Sequence, residues 1–315
     1  MEIEETVAGL DKLSSPCRLC PRRCGVDRGG GEMGWCRTGN RPLVAEICLH
    51  RGEEPAISGP RGICNVFFAH CTLQCLYCQN NRISSNRVEH PGWIGSLDEL
   101  TEAVCSVLDQ GASGLGLVSP THQLPAAARL IRDLRRRGRR PVVVYNTSGY
   151  ERVEVLRELE DLVDVYLPDL KYLDPEIAGA WSGAPDYPAA AADALREMYR
   201  QKGSLLRFDQ DGVAVSGMIV RHLVLPGAVE NTRDCLRFIA GELSPRLHVS
   251  LMAQYHPIPA VAGVPGLDRR LRRSEYDSAV EELGRLGLDR GWTQELESHG
   301  YYLPDFEGPQ VFPDT

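Results

Sequence analysis

From residue 61 onward, short apolar runs rich in β-branched residues alternate with helix-like segments. The runs lie at 63–70, 115–119, 141–146, 163–169, 218–225 and 247–252. Helical periodicity is clearest at 97–110, 124–137, 152–159, 189–201 and 232–241, and again at 274–286 after the last run. Each return to a parallel strand needs a crossover, so six strand–helix repeats in succession demand a parallel sheet. Runs such as V-V-V-Y and V-R-H-L-V-L are continuously apolar, as expected when both faces of a sheet are covered. A doubly wound open sheet and a partial barrel both satisfy this pattern. In either, chemistry gathers at the C-terminal ends of the strands.

Those ends carry polar or special residues. The first run ends in His70 and enters C-T-L-Q-C-L-Y-C. The second ends in Ser119-Pro120-Thr121-His122 and the third in Asn146-Thr147-Ser148-Gly149-Tyr150. The fourth ends in Pro168-Asp169-Leu170-Lys171. The fifth carries Arg221 and His222, and the sixth ends in Gln254-Tyr255-His256. Loops are polar in any protein, which accounts for part of this pattern. Polar groups at all six ends exceed what a purely structural protein needs.

Composition narrows the function classes. The chain has 315 residues, of which 43% are hydrophobic and 25% charged, and a formal net charge of −8. A general nucleic-acid binder needs a basic surface, so none is expected here. The basic run at Arg135–Arg137, Arg139 and Arg140 reads as a solvated helix end favoured by the helix dipole. No stretch approaches the ~20 apolar residues of a membrane span, and the first residues hold no apolar signal core. A cytoplasmic protein with no membrane partner is the expectation.

In that setting the eleven cysteines should stay reduced. An odd number also fits a disulfide framework badly, and reduced, clustered cysteines point to metal. Seven fall into two groups: Cys17, Cys20, Cys24 and Cys36, and Cys71, Cys75 and Cys78. Cys48, Cys64, Cys105 and Cys235 are scattered and read as small buried hydrophobes. The chain divides into a Cys-rich extension (1–60), an α/β unit (61–290) and a tail (291–315). Residues 1–40 show little periodicity and look too short for a core without a metal. Residues 41–60 read as one short strand and a turn-rich connection.

The spacing C-x3-C-x2-C at Cys71, Cys75 and Cys78 can hold three corners of a cubane iron–sulfur cluster, leaving one iron without a protein ligand. Zinc is the alternative, but structural zinc takes four closed ligands. His70 is a candidate fourth, although it is expected to point back along its strand. An aromatic residue, Tyr77, precedes the third cysteine, and the loop follows the first strand of an α/β repeat. This resembles the radical S-adenosylmethionine (SAM) superfamily, with its C-x3-C-x-aromatic-C signature in that position. The segments T-S-G-Y, Y-L-P-D-L-K-Y, R-H-L-V-L-P-G and A-Q-Y-H-P extend the resemblance to relatives of pyruvate formate-lyase activating enzyme. C-R-L-C-P-R-R-C-G-V and the H-x-G-E-E-P segment, His50 to Pro55, resemble its PflX-type branch. The resemblance covers about residues 17–260.

The resemblance implies a partial (β/α)6 barrel with a small Cys-rich N-terminal extension. It implies a [4Fe-4S] cluster on Cys71, Cys75 and Cys78, and SAM cleaved reductively to a 5′-deoxyadenosyl radical that abstracts hydrogen. Flavodoxin or ferredoxin would supply the electron. Asp169-Leu170-Lys171 matches the D-x-K strand end that contacts SAM or substrate. Tyr255-His256 resembles the Y-H segment near the adenosyl group, and Asn146 to Gly149 the T-N-G loop. The common G-G-E motif, which holds the SAM amino group, is replaced by Ser119-Pro120-Thr121-His122. Ser119 and Thr121 therefore offer hydroxyls in place of a carboxylate. Plainer roles for these residues are a surface ion pair at Asp169 and Lys171 and a loop cap at His256.

Cys17, Cys20, Cys24 and Cys36 suit Zn²⁺ or an auxiliary iron–sulfur cluster. The substrate is a partner protein's glycine, another peptide side chain, or a small molecule. Glu53, Glu54, Arg221 and His222 are candidate substrate contacts, with a plain loop role as the alternative. A zinc-binding module without catalysis and a ferredoxin-like electron carrier are the competing classes. The acidic charge argues against the first and the size of the α/β unit against the second.

Overall fold

A computed structural model describes residues 3–89, 94–296, 303–306, 308, 311 and 312. Nine strands occur among them: β1 (Val44–His50), β2 (Ile63–Phe68), β3 (Gly114–Val118), β4 (Val142–Thr147), β5 (Val165–Pro168), β6 (Arg207–Phe208), β7 (Ala214–Leu223), β8 (His248–Met252) and β9 (Gly291–Thr293). The helices are α1 (Ile3–Ser14), α2 (Pro55–Ser58), α3 (Asn81–Ser84), α4 (Leu97–Leu108), α5 (Leu124–Arg136), α6 (Val153–Glu158), α7 (Pro175–Ser182), α8 (Tyr187–Lys202), α9 (Val229–Phe238) and α10 (Arg273–Arg285). A single π turn at Ile239–Leu243 extends α9.

The sheet order is β1-β2-β3-β4-β5-β7-β8-β9, with β6 paired antiparallel to β7. From β2 to β9 the strands of this path are parallel, and only β1 runs antiparallel to its neighbour. Strict sequential order decides between the two architectures left open by the strand pattern. A doubly wound sheet reverses direction at a switch point, whereas this sheet never does. It winds one way and stops with β1 and β9 as its two edges. The result is a partial barrel.

Side chains alternate between the two faces of each strand. The outer face carries Val66, Leu117, Tyr145, Tyr166, Val220 and Val249, all packed in one core with the helices. The inner face carries Ile63, Val144, Val165, Leu167 and Ile219. These join Ala56 and Ile57 of α2 in a second core. Helix α2 thus plugs the N-terminal end of the barrel, leaving the other end for polar side chains. The apolar runs are continuous because both faces are buried.

Two elements depart from the expected organisation. Residues 3–14 form α1, whose Val7 and Leu10 are buried and which packs on α5 and α6. Ile3, Thr6, Val7, Leu10 and Ser14 keep helical spacing, a signal diluted by the cysteines that follow. The second departure is β9, which lies within the expected tail. Gly291 has φ +116°, and a Cβ there would stand 2.1 Å from the Val249 carbonyl oxygen. Only glycine lets β9 approach β8 this closely. The basic run at the end of α5 makes surface ion pairs: Arg136 with Glu4 (2.7 Å), Arg137 with Glu102 (2.7 Å) and Arg139 with Asp109 (2.8 Å). Of the scattered cysteines, Cys64, Cys105 and Cys235 are buried and Cys48 is half-buried.

Candidate active site

The polar strand ends surround a cavity of about 410 Å³, within the usual size of small-molecule sites. Cys71, Cys75 and Cys78 all line it. They sit on the loop that leaves β2. The loop is fixed from several sides. Tyr77 is buried, and its hydroxyl lies 2.5 Å from that of Tyr172, beyond β5. The Tyr172 hydroxyl lies 2.9 Å from Ser182 Oγ, which donates to Cys75 Sγ at 2.9 Å. Gln79 Nε2 donates to the Gln254 carbonyl after β8 at 2.7 Å. Asn86 Oδ1 accepts from the Cys71 amide at 3.2 Å. The aromatic position before the third cysteine therefore works as an anchor between the loop and α7.

Burial pushes the Cys71 thiol up to about 12 and the Cys75 thiol up to about 11. Burial thus favours the protonated thiols, and a cationic metal centre is what would turn them into thiolates. His70 does not complete the set. Its Nδ1 lies 3.0 Å from the Ser85 carbonyl oxygen, and the residue does not line the cavity. Three thiols on one wall of a roomy cavity fit a cubane with one open corner. They do not fit a closed four-ligand zinc site.

Asp169 and Lys171 line the same cavity, and Leu170 between them is fully buried in the outer core. Lys171 Nζ meets Asp169 Oδ2 at 2.6 Å. Burial disfavours the ammonium, yet Asp169 beside it outweighs that and holds the Lys171 pKa above its ordinary value. The backbone here is pinned. The Lys171 amide donates to the Tyr187 hydroxyl at 2.9 Å, and that hydroxyl donates to the Ser148 and Asp169 carbonyls at 2.8 and 2.9 Å. Gly149, at φ +77°, lets the loop after β4 cross this point, since a Cβ would lie 2.4 Å from the Asp169 carbonyl.

The remaining sequence candidates divide. Ser119 and Asn146 line the cavity, and Ser119 adopts a left-handed backbone with φ 53°. Thr121 does not line it, because its hydroxyl points to Glu151. His256 is not among the lining residues either; Gln254, two residues earlier, is. Glu53, Glu54 and Arg221 line the cavity. His222 faces the other side, with Nδ1 2.6 Å from the Leu170 carbonyl and Nε2 3.0 Å from Thr232 Oγ1. Adjacent strand residues point to opposite faces, so Arg221 and His222 cannot share a site. Trp292 and Gln294 at and beyond β9 also line the cavity. That segment carries no repeat pattern in the sequence.

Cys17, Cys20, Cys24 and Cys36 surround a second, much smaller pocket together with Leu19, Val26, Trp35 and His122. Burial and the neighbouring thiols hold Cys20 far above its ordinary pKa. This region is fastened to the barrel mouth. Arg28 donates to the His122 carbonyl at 2.8 Å and to Thr38 Oγ1 at 3.0 Å. Arg22 donates to the Thr72 carbonyl at 3.2 Å and lies 4.2 Å over the Trp35 ring.

Residues 65–206 match the model of the radical SAM superfamily. Over that stretch the chain is similar to the radical SAM superfamily. The match supports an enzyme whose exact reaction is open, and the superfamily implies a [4Fe-4S] cluster and SAM. An uncharacterized protein of Methanocaldococcus jannaschii is 28% identical over 280 residues, spanning 87% of this chain and 75% of that protein. Solved structures are similar at lower identity. Streptococcus suis SuiB bound to S-adenosylmethionine shares 11% identity at a TM-score of 0.48, over 76% of this chain and 52% of SuiB. Native anSMEcpe with bound AdoMet shares 14% at 0.45, over 76% of this chain and 62% of that one. This chain thus spans about half the length of SuiB. Among the described residues no helix is long and apolar enough to cross a membrane.

Glu151 joins the ends of β3 and β4. Its Oε1 accepts from Thr121 at 2.5 Å, from Tyr145 at 3.1 Å and from Thr147. Its Oε2 has no hydrogen-bond partner among the described residues. Burial pushes this carboxyl up to about 7, against three hydroxyls that favour its ionised form. A carboxyl raised on folding lends stability that is full below its unfolded value. That stability is lost as pH rises through the folded one. Glu151→Gln keeps the size and removes the titration. Between pH 5 and pH 8 the wild type should lose about 2 to 3 kcal/mol relative to this variant in chemical denaturation. Parallel pH profiles for the two proteins would contradict the assignment.

Proposed function

We propose that the chain uses a [4Fe-4S] cluster on Cys71, Cys75 and Cys78 to act on SAM, and that it belongs to the PflX-type branch of activating-enzyme relatives. When bound, the pair would supply a 5′-deoxyadenosyl radical for hydrogen abstraction, with flavodoxin or ferredoxin as electron donor. The observation that carries this reading is the convergence of three thiols and the Asp169–Lys171 pair on one cavity at the strand ends. The zwitterionic methionine part of SAM suits such a pair, because each of its charges finds an opposite one. Ser119 and Asn146 offer neutral polar groups on the same wall. The chain's own work is to hold these groups rigidly and to keep water away from the reacting atoms.

The substrate is a protein partner, read from the resemblance to activating enzymes. Cys17, Cys20, Cys24 and Cys36 hold a second metal, zinc or an auxiliary cluster, which stiffens a region otherwise short of core.

Replacing Cys71, Cys75 or Cys78 with Ala should abolish 5′-deoxyadenosine formation on dithionite reduction, and a triple variant that still forms it would refute the reading. Lys171→Ala should leave the cluster's absorbance in place and weaken SAM binding by about tenfold, the scale of one lost charge-assisted hydrogen bond. In the double variant Cys17→Ala/Cys20→Ala, elemental analysis should show less metal per chain. The reduced cluster's paramagnetic signal should still change on adding SAM. Loss of that response in folded protein would show that the two cysteine groups form one functional unit.

A further inference from the structure

Beside the Asp169–Lys171 pair, on the neighbouring strand, lies a second charged group. On the inner face of β7, Ile219 belongs to the apolar plug around α2, and Arg221 is the next residue on that face. Arg221 Nε donates to Glu54 Oε1 at 2.8 Å and Nη2 to Glu54 Oε2 at 2.5 Å. Nη2 also reaches Glu53 Oε2. Asn65, from β2, donates to Glu53 Oε1 at 2.8 Å. The Glu53, Glu54 and Arg221 side chains are only 10%, 6% and 13% exposed.

The charges in this group do not balance. Two carboxylates face one guanidinium, and the other cation of the cavity, Lys171, is taken by Asp169. Burial opposes ionisation of Glu53, yet Arg221 beside it holds its pKa at about 2. A buried charge without a counterpart is costly, and a structural clasp between the loop after β1 and β7 would need only one carboxylate.

A second, independent observation marks the same place. His50, the last residue of β1, lines this cavity and is 4% exposed. Its ring lies 4.0 Å from that of Phe312, and its Nδ1 has no hydrogen-bond partner among the described residues. In the tautomer protonated on Nε2, the His50 Nδ1 is an acceptor for N–H donors, as is a surplus carboxylate. An anionic ligand would meet two carboxylates, and an apolar one would leave the surplus charge and the imidazole unpartnered.

We propose that this part of the cavity wall binds a positively charged group of the substrate, a primary ammonium or a guanidinium, through Glu53, Glu54 and His50. The inference rests on the radical SAM reading of the cavity and names the chemical class of its substrate. SAM carries net positive charge as well, so its affinity must be read alongside.

The test is calorimetric titration of the reconstituted enzyme, in the presence of SAM, with n-butylammonium, methylguanidinium and butyrate. At least one cation should bind more tightly than butyrate. Glu53→Gln and Glu54→Gln should each weaken that cation by about tenfold, as for a charge-assisted hydrogen bond lost, with SAM affinity essentially unchanged. Preference for butyrate, no binding of either cation, or unchanged cation affinity in both variants would overturn the proposal. So would an equal loss of SAM affinity, which would assign the carboxylates to the cofactor. Should Glu53→Gln fail to fold, Glu54→Gln and the wild-type ion preference decide. Failure of the radical reading would appear separately, as absence of 5′-deoxyadenosine whatever ions bind.

Discussion

A parallel strand buried on both faces has few places for polar side chains except its ends. In this protein helices cover the outer face, and α2 with the inner residues fills one end of the barrel. The opposite end is left to carry the chemistry. Cys71, Ser119, Asn146, Asp169 and Gln254 each follow or end a strand, and all of them line one cavity. The sheet's one-way winding brings these five ends round a common centre. A doubly wound sheet would have spread them along a line.

The cavity's charges depend on that burial. Asp169, 2.6 Å away, favours the cationic form of Lys171 against burial, and Arg221 favours the anionic form of Glu53. Removing one partner of such a pair leaves an uncompensated charge, at a cost of about 3–5 kcal/mol. The second layer serves these groups. Tyr77, Tyr172 and Ser182 fix the cysteine loop, and Tyr187 fixes the Asp169–Lys171 backbone. Preorganised charges cost little reorganisation when a ligand arrives.

Much of this arrangement was legible in the sequence. The parallel sheet followed from alternating patterns, and Asp169-Leu170-Lys171 was visible as a polar strand end. The cysteine loop was visible as a motif after the first run. Other features were hidden for physical reasons. Winding order is a long-range property, so local periodicity left the barrel and the open sheet equally good. Glu151 carries no motif, and its burial becomes visible only when β3 and β4 bring three hydroxyls to it. Thr121 was read with Ser119 because both lie in one short loop, yet the turn at Ser119 sends their side chains to different places. Arg221 and His222 were paired as neighbours in sequence, where strand geometry separates them. Helix α1 kept its periodicity but was overshadowed by the cysteines behind it.

The central claim is that the three cysteines and the Asp169–Lys171 pair belong to one cofactor site. An anaerobic crystal structure of the reconstituted protein with SAM tests it most directly. The account predicts a four-iron cluster bound by Cys71, Cys75 and Cys78, with SAM beside it and the Asp169–Lys171 pair in contact with the cofactor. A single metal ion on those cysteines, or SAM bound away from that pair, would contradict it.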